Sequence, residues 1–316
     1  MRICLMIEGQ EGVSWNDWVA LARLTEKSGL EGLFRSDHYS SIFRSEGDAA
    51  HDAWTTIAGL GALTGRIRLG TLVSPATFRH PSVVARSVAT ADHISGGRVE
   101  LGLGAGWYER EHLQCGFPFR DAGWRFQRFA EHVEIVVRSW TEDRFDFEGS
   151  HHTLRDARAL PKPMQQPHPP VILGGTAKPH SAALAARFAS EYNTSFATVE
   201  QCRERRAALD LACNEAGRDP ATLVFSLMTG CIVGEDRGQV LGRVGRVLGR
   251  MGDRADPAQA IEERRDVWLV GTVEEVAERI EVLRTAGIER VFLQHLDHTD
   301  AEMIELIGRR LLPAVG

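Results

Sequence analysis

Short apolar runs and helical periods take turns along this chain. Strands are predicted over Arg2–Glu8, Gly32–Arg35, Arg68–Val73, Val99–Leu103, Val171–Leu173, Glu191–Asn193, Phe225–Val233 and Arg290–Leu296, with a further strand end at Val267–Val270. Between them the apolar positions recur with a period near 3.6, which predicts helices over Ser14–Ser28, Asp52–Leu63, Pro81–Ser95, Trp124–Trp140, Ser181–Ala189, Val199–Ala216, Gln239–Met251, Thr272–Ala286 and Asp300–Leu312. Local signals agree. Ser14 with Asp17 and Thr272 with Glu275 have capping-box spacing, Gly29 and Gly287 follow their helices, and Pro81 suits a first helical turn.

About eight strand–helix units in one chain of this length predict an α/β fold, a (β/α)8 TIM barrel. An open doubly wound sheet has the same alternation, but its dinucleotide fingerprint is missing. After Gly102, Gly104 and Gly106 the next residue is Trp107, where the third glycine would stand. The Pro-rich stretch Leu160–Pro170 leads straight into a strand. It reads as an insertion between units four and five, with an extended arm at Asp143–Leu154, and residues 1–316 as a single barrel domain.

In a barrel, function gathers where strands end. Those positions hold Ser36-Asp37-His38-Tyr39, Thr71-Leu72-Val73-Ser74-Pro75, Gly104-Ala105-Gly106-Trp107, Gly174-Gly175-Thr176 and Asn193. Glycines after a strand let a ligand approach the backbone, and Trp107 offers a flat apolar wall. Gly174-Gly175-Thr176-Ala177-Lys178, just before a helix, is the best anion site, although a tight turn also needs glycine there. His38 suits proton transfer, or a structural role held by Asp37, which equally suits a cap or an arginine partner.

Composition removes other chemistries. The chain is 43% hydrophobic and 25% charged with a net charge of −6, which argues against a nucleic-acid surface. Lys27, Lys162 and Lys178 are the only lysines, few for a Schiff-base enzyme. Five scattered cysteines with no CxxC argue against a disulfide framework or zinc knuckle and fit a reducing cytoplasm. No HExxH or GxSxG motif occurs, so no metal is expected, and most histidines read as structural. His295 and His298 are the two placed to reach the pocket. The first ten residues turn polar too soon for a signal peptide, and no apolar run spans a membrane, so the protein is expected to be cytoplasmic.

Taken together, Ser36-Asp37-His38-Tyr39, Leu69 to Ser74, Arg79-His80-Pro81, Ser95 to Trp107, Pro161-Lys162-Pro163, Val171 to Gly175 and Val270 to Val276 resemble the bacterial luciferase-like superfamily, in order along nearly the whole chain. Ser36 to Tyr39 with Trp107, Glu111-His112 and Gly116-Phe117-Pro118-Phe119 most resembles the branch that uses the deazaflavin coenzyme F420.

The resemblance implies an oxidoreductase that transfers a hydride between F420 and a small organic substrate. An FMN-dependent monooxygenase and a non-catalytic flavin-binding barrel are the alternatives, and a homodimer is expected. It implies His38 as the catalytic residue near the redox face. Thr71 and Leu72 match a pair joined by a cis peptide behind the ring. Gly104, Ala105 and Gly106 match the loop beside it, and Gly174, Gly175 and Thr176 match the residues whose amides hold the cofactor phosphate. Asp37 is carried over with the cofactor set, and Tyr39 and Trp107 line the substrate pocket. Sugar-phosphate dehydrogenases of the superfamily have a glutamate where this chain has Trp107. That reaction is therefore not expected, unless Glu109 or Glu111 substitutes.

Overall fold

The computed structural model describes residues 1–43 and 50–316. Eight parallel strands close on themselves: β1 (Arg2–Ile7), β2 (Gly32–Arg35), β3 (Arg68–Thr71), β4 (Val99–Gly104), β5 (Val171–Gly174), β6 (Glu191–Ser195), β7 (Val224–Gly234) and β8 (Arg290–Gln294). Each pairs with the next in sequence. Leu5 faces Leu33 between β1 and β2, and the same Leu5 faces Leu293 of β8, which shuts the barrel. The expected (β/α)8 architecture is present.

The helices are α1 (Trp15–Lys27), α2 (Ala53–Leu63), α3 (Pro81–Ser95), α4 (Glu109–Cys115), α5 (Ala122–Thr141), α6 (Pro179–Phe188), α7 (Val199–Glu215), α8 (Arg237–Met251), α9 (Pro257–Arg264), α10 (Val273–Thr285) and α11 (Ala301–Leu306). Both anticipated capping boxes form: the Ser14 side chain accepts from Asp17 N, and that of Thr272 from Glu275 N. Two helices escaped the periodicity, α4 and α9. Each has fewer than nine residues, so the repeat is too short to register. The expected strand over Arg68–Val73 stops at Thr71, and pairing with β4 resumes only at Ser74 and Pro75. Leu269–Thr272 pairs with the outer end of β7 rather than joining the ring of eight.

The insertion between units four and five is a hairpin of Phe145–Glu148 with Thr153–Ala157. Its turn is clamped to α5 by one carboxylate. Glu131 accepts from Ser150 N at 2.6 Å and from His152 N at 3.0 Å. The His152 ring lies edge-on to His80 at 5.4 Å and to His132 at 6.4 Å between centroids.

Burial drives the His132 side chain down to about 3, and burial with the nearby Arg128 charge drives His152 down to about 4. On the far side of the barrel, burial takes His295 down to about 4 against the pull of Asp300 and Asp297. Unfolded histidine protonates near 6.5. Below that pH the unfolded chain binds more protons than the folded one, so stability falls as pH falls. The expected result is a melting temperature that declines steadily from pH 6.5 to 4.5. The slope approaches roughly 1.4 kcal/mol per pH unit for each fully buried ring. A melting temperature flat across that window in scanning calorimetry would contradict this account.

Candidate active site

The C-terminal ends of the strands open into a cavity of about 630 Å³, within the range of small-molecule sites. Met6, Leu72, Val73, Met228, Trp268 and Leu296 give it mostly apolar walls. His38, Gly104, Ala105, Gly106, Trp107, Gly174 and Gly175, all anticipated from strand ends, line it together.

One wall is built by a backbone kink. The peptide between Leu72 and Val73 is cis, one residue later than the resemblance implied for Thr71 and Leu72. Thr71 is buried instead, its hydroxyl donating to Gly102 O at 2.9 Å. A Cβ on Gly104 would stand 2.7 Å from Val73 Cγ2, so glycine is what allows Val73 to lie across β4. Gly106 has φ +82°, which favours glycine as well.

The expected amide grip at Gly174 and Gly175 is only partly available. Gly175 N already donates to Asn193 O at 3.0 Å, and a Cβ there would meet Tyr192 Oη at 2.6 Å, so this glycine also serves packing. Ala177 N donates to Tyr192 Oη at 2.8 Å. What remains is the first turn of α6, whose cap residue Lys178 makes no side-chain cap hydrogen bond. First-turn N–H groups have no helical partner and carry partial positive charge. Thr176 is exposed and lies outside the cavity lining.

Two further anticipated residues turn elsewhere. Asp37 is buried beneath the site, accepting from Ser74 Oγ at 2.6 Å and pairing with Arg79 at 2.5 Å, the arginine-partner role. Tyr39 stacks on Phe78 at 5.5 Å and donates to Asp52 at 2.9 Å, so it does not line the cavity. Desolvation and the Asp37 and Asp52 charges push its phenol up. His295 is also outside the cavity, its Nε2 3.1 Å from Asp300 O, whereas His298 borders a smaller side cavity of about 210 Å³.

The central feature is a pair that the sequence left open. Helix α4 carries Glu111 into the barrel mouth with no exposed surface, and its Oε2 lies 2.7 Å from His38 Nδ1. The other oxygen accepts from the Tyr39 and Ser40 backbone N–H groups. Burial pulls His38 down, but the hydrogen bond and charge of Glu111, reinforced by Glu8 and Asp37, outweigh it and hold the imidazole above its ordinary value. With Nδ1 engaged, the other ring nitrogen is the one left for the cavity. Trp107 meets the His38 ring edge-on at 5.8 Å and stacks on Tyr108 at 5.2 Å, forming an exposed flap at the rim.

Asn193, anticipated at the end of its strand, lines the cavity too, and so do Glu8, Gln294, Phe196 and Trp268, which were not anticipated. Glu8 and Gln294 close strands β1 and β8, and only strand-end position could have marked them. Among the described residues, no group of three His, Cys, Asp or Glu side chains is arranged to hold a metal ion, and no helix is long and apolar enough to cross a membrane.

The sequence model of the luciferase-like monooxygenase family matches residues 2–290. The chain is 24% identical to the FMNH(2)-dependent dimethylsulfone monooxygenase of Pseudomonas putida, over 93% of this chain and 86% of that one. It is 34% identical to the F420-dependent glucose-6-phosphate dehydrogenase of Microbacterium testaceum, over 64% of this chain and 60% of that one. Among solved structures it superposes on monooxygenase RslO1 from Streptomyces bottropensis with a TM-score of 0.84 and 25% identity, covering both chains fully. An F420-dependent secondary alcohol dehydrogenase bound to an F420-acetone adduct also superposes at 0.84, over 100% of this chain and 99% of that one. At 21% identity, that match speaks to the fold.

Proposed function

Because the chain belongs to the luciferase-like monooxygenase family, we propose that it is an oxidoreductase that uses a deazaflavin of the F420 type to interconvert a small alcohol and its carbonyl compound. The observation that carries this reading is the buried Glu111–His38 pair facing the cavity. Reduction of a carbonyl needs a proton for the oxygen that gains charge, and a histidine held above its ordinary value by a buried carboxylate is suited to give it.

The cavity fits a planar ring. Leu72 and Val73 offer a flat apolar wall, Gly104 carries no side chain beside it, and the uncapped start of α6 suits a phosphate tail. When bound, the deazaflavin would supply the hydride. The rest falls to this chain. Glu111 fixes the His38 ring and stabilises its charge. His38 donates to the substrate oxygen from its free ring nitrogen, and takes the proton back in the reverse direction. Met228 and Trp268 give the reacting centre apolar walls, with Trp107 at its rim.

A second reading, FMN-dependent monooxygenation, is favoured by the length of the match to the dimethylsulfone enzyme. Titrating the purified protein with oxidised F420 and with FMN, followed by visible difference spectra and oxygen uptake, separates the two. We expect low-micromolar F420 binding and no oxygen consumption. Tight FMN binding with none for F420 would reverse the assignment.

A further inference from the structure

Glu8 faces the same cavity, and apart from the pull of its charge on His38 it has no role in the chemistry above. It is 7% exposed and sits just past the end of β1. Gln294 Nε2 donates to Oε1 at 2.5 Å and Gln10 Nε2 to Oε2 at 2.8 Å. Gln10 is held in turn by Ser36, whose hydroxyl donates to Gln10 Oε1 at 2.5 Å and accepts from Gly9 N at 2.9 Å. Both carboxylate oxygens are therefore fixed by neutral amides. No lysine or arginine stands among the described residues that line the cavity. Arg250 borders the smaller side cavity instead, 3.5 Å from Asp297.

Among the described residues, the balance of charge around the cavity is acidic. His38, the one basic side chain among the described residues that line the cavity, pairs with Glu111 at 2.7 Å, so nothing basic in that lining pairs with Glu8. A buried like charge is poorly screened and disfavours a second anion strongly. Resting on the cavity being the substrate site, we propose that Glu8 is a specificity-determining residue that excludes anionic substrates. The substrate is then an uncharged, mostly apolar alcohol or carbonyl compound rather than a phosphate ester or a carboxylate. The apolar walls formed by Met6, Met228, Phe196 and Trp268 would take its hydrocarbon part.

Two probes that share a cyclohexyl ring test this, cyclohexanol and cyclohexanecarboxylate. Binding is followed by calorimetry and by tryptophan fluorescence, since Trp107 and Trp268 line the cavity. It is measured on the full chain, first alone and then with saturating F420. We expect the carboxylate to bind at least about tenfold more weakly than the alcohol. In Glu8→Gln the gap should shrink to about threefold or less with cyclohexanol little changed, and in Glu8→Asp, which keeps the charge, it should persist. Equal binding of both probes by the unaltered protein, a gap unchanged in Glu8→Gln, or binding of neither probe overturns the proposal. The expected order without any F420 binding supports it and removes the cofactor reading alone.

Discussion

Replacing Glu111 by glutamine is expected to lower the His38 titration by about one unit or more and to slow F420-linked turnover about ten- to a hundredfold. The side chain keeps its shape, and its remaining oxygen still accepts from the Tyr39 and Ser40 N–H groups. Beside His38 Nδ1 the accepting oxygen and its charge are both replaced by an amide NH2, which cannot accept from a protonated ring. Burial then acts almost unopposed and drives the imidazole towards its neutral form. A proton donor works below its pKa. In the carbonyl-reducing direction, activity of the parent protein should fall as pH rises through the elevated His38 value, and in Glu111→Gln that fall should move to lower pH. Proton NMR of the His38 ring reads the shift without any reaction, and Glu111→Asp should restore part of it. A His38 titration unmoved by Glu111→Gln would remove the pair from the mechanism. A turnover loss without that shift would leave Glu111 with a structural role only.

The second large effect concerns the opposite end of the barrel. Arg290→Met should destabilise the fold by about 3–5 kcal/mol. Arg290 is 1% exposed, and its guanidinium lies 2.7 Å from Glu100, 3.0 Å from Glu191 and 3.0 Å from Glu31. It sits between the faces of Phe34 and Phe292, 4.9 and 4.8 Å from their centroids. Burial works against every charge in this group. Arg290 and Arg68 nevertheless hold Glu100 below the usual carboxylate range, whereas burial and the neighbouring Glu100 push Glu191 up. Taking away the cation strands Glu191 inside the barrel and leaves Glu100 to Arg68 alone, and that accounts for most of the cost. Adding Glu100→Gln and Glu191→Gln to Arg290→Met should recover much of the loss, because both buried carboxylates are gone. Chemical denaturation of the three proteins checks this. A single variant within about 1 kcal/mol of the parent would mean that the cluster contributes little.

Much of this architecture was legible before any coordinates. Parallel strands buried on both faces read as apolar runs, and the helices that cover them keep a 3.6-residue period, so the order of units stands out. The glycines at 104, 106, 174 and 175 also stood out, because glycine after a strand is needed only where something approaches or the backbone turns. The same reasoning overreached at Gly175, where the close neighbour is Tyr192 within the protein. Tyr39 and Asp37 were misplaced for a related reason. Alternation places a residue at a strand end but does not say which way a loop side chain turns, and Arg79 draws both away from the cavity.

The amino-acid sequence by itself determined the barrel, the order of its strands and the end at which chemistry gathers, because period and turn residues are local properties. Only the tertiary structure decided which charges meet. His38 and Glu111 are 73 residues apart, and Glu8 and Gln294 are 286 apart. Neither separation leaves a trace in any repeat. Glu111 lies on a seven-residue helix too short to announce itself, and Arg290 begins a strand as an ordinary surface arginine would. Closing eight strands into a ring brought each of them to its partner. Burial then made those encounters count, because charges removed from water interact far more strongly than the same charges in solution.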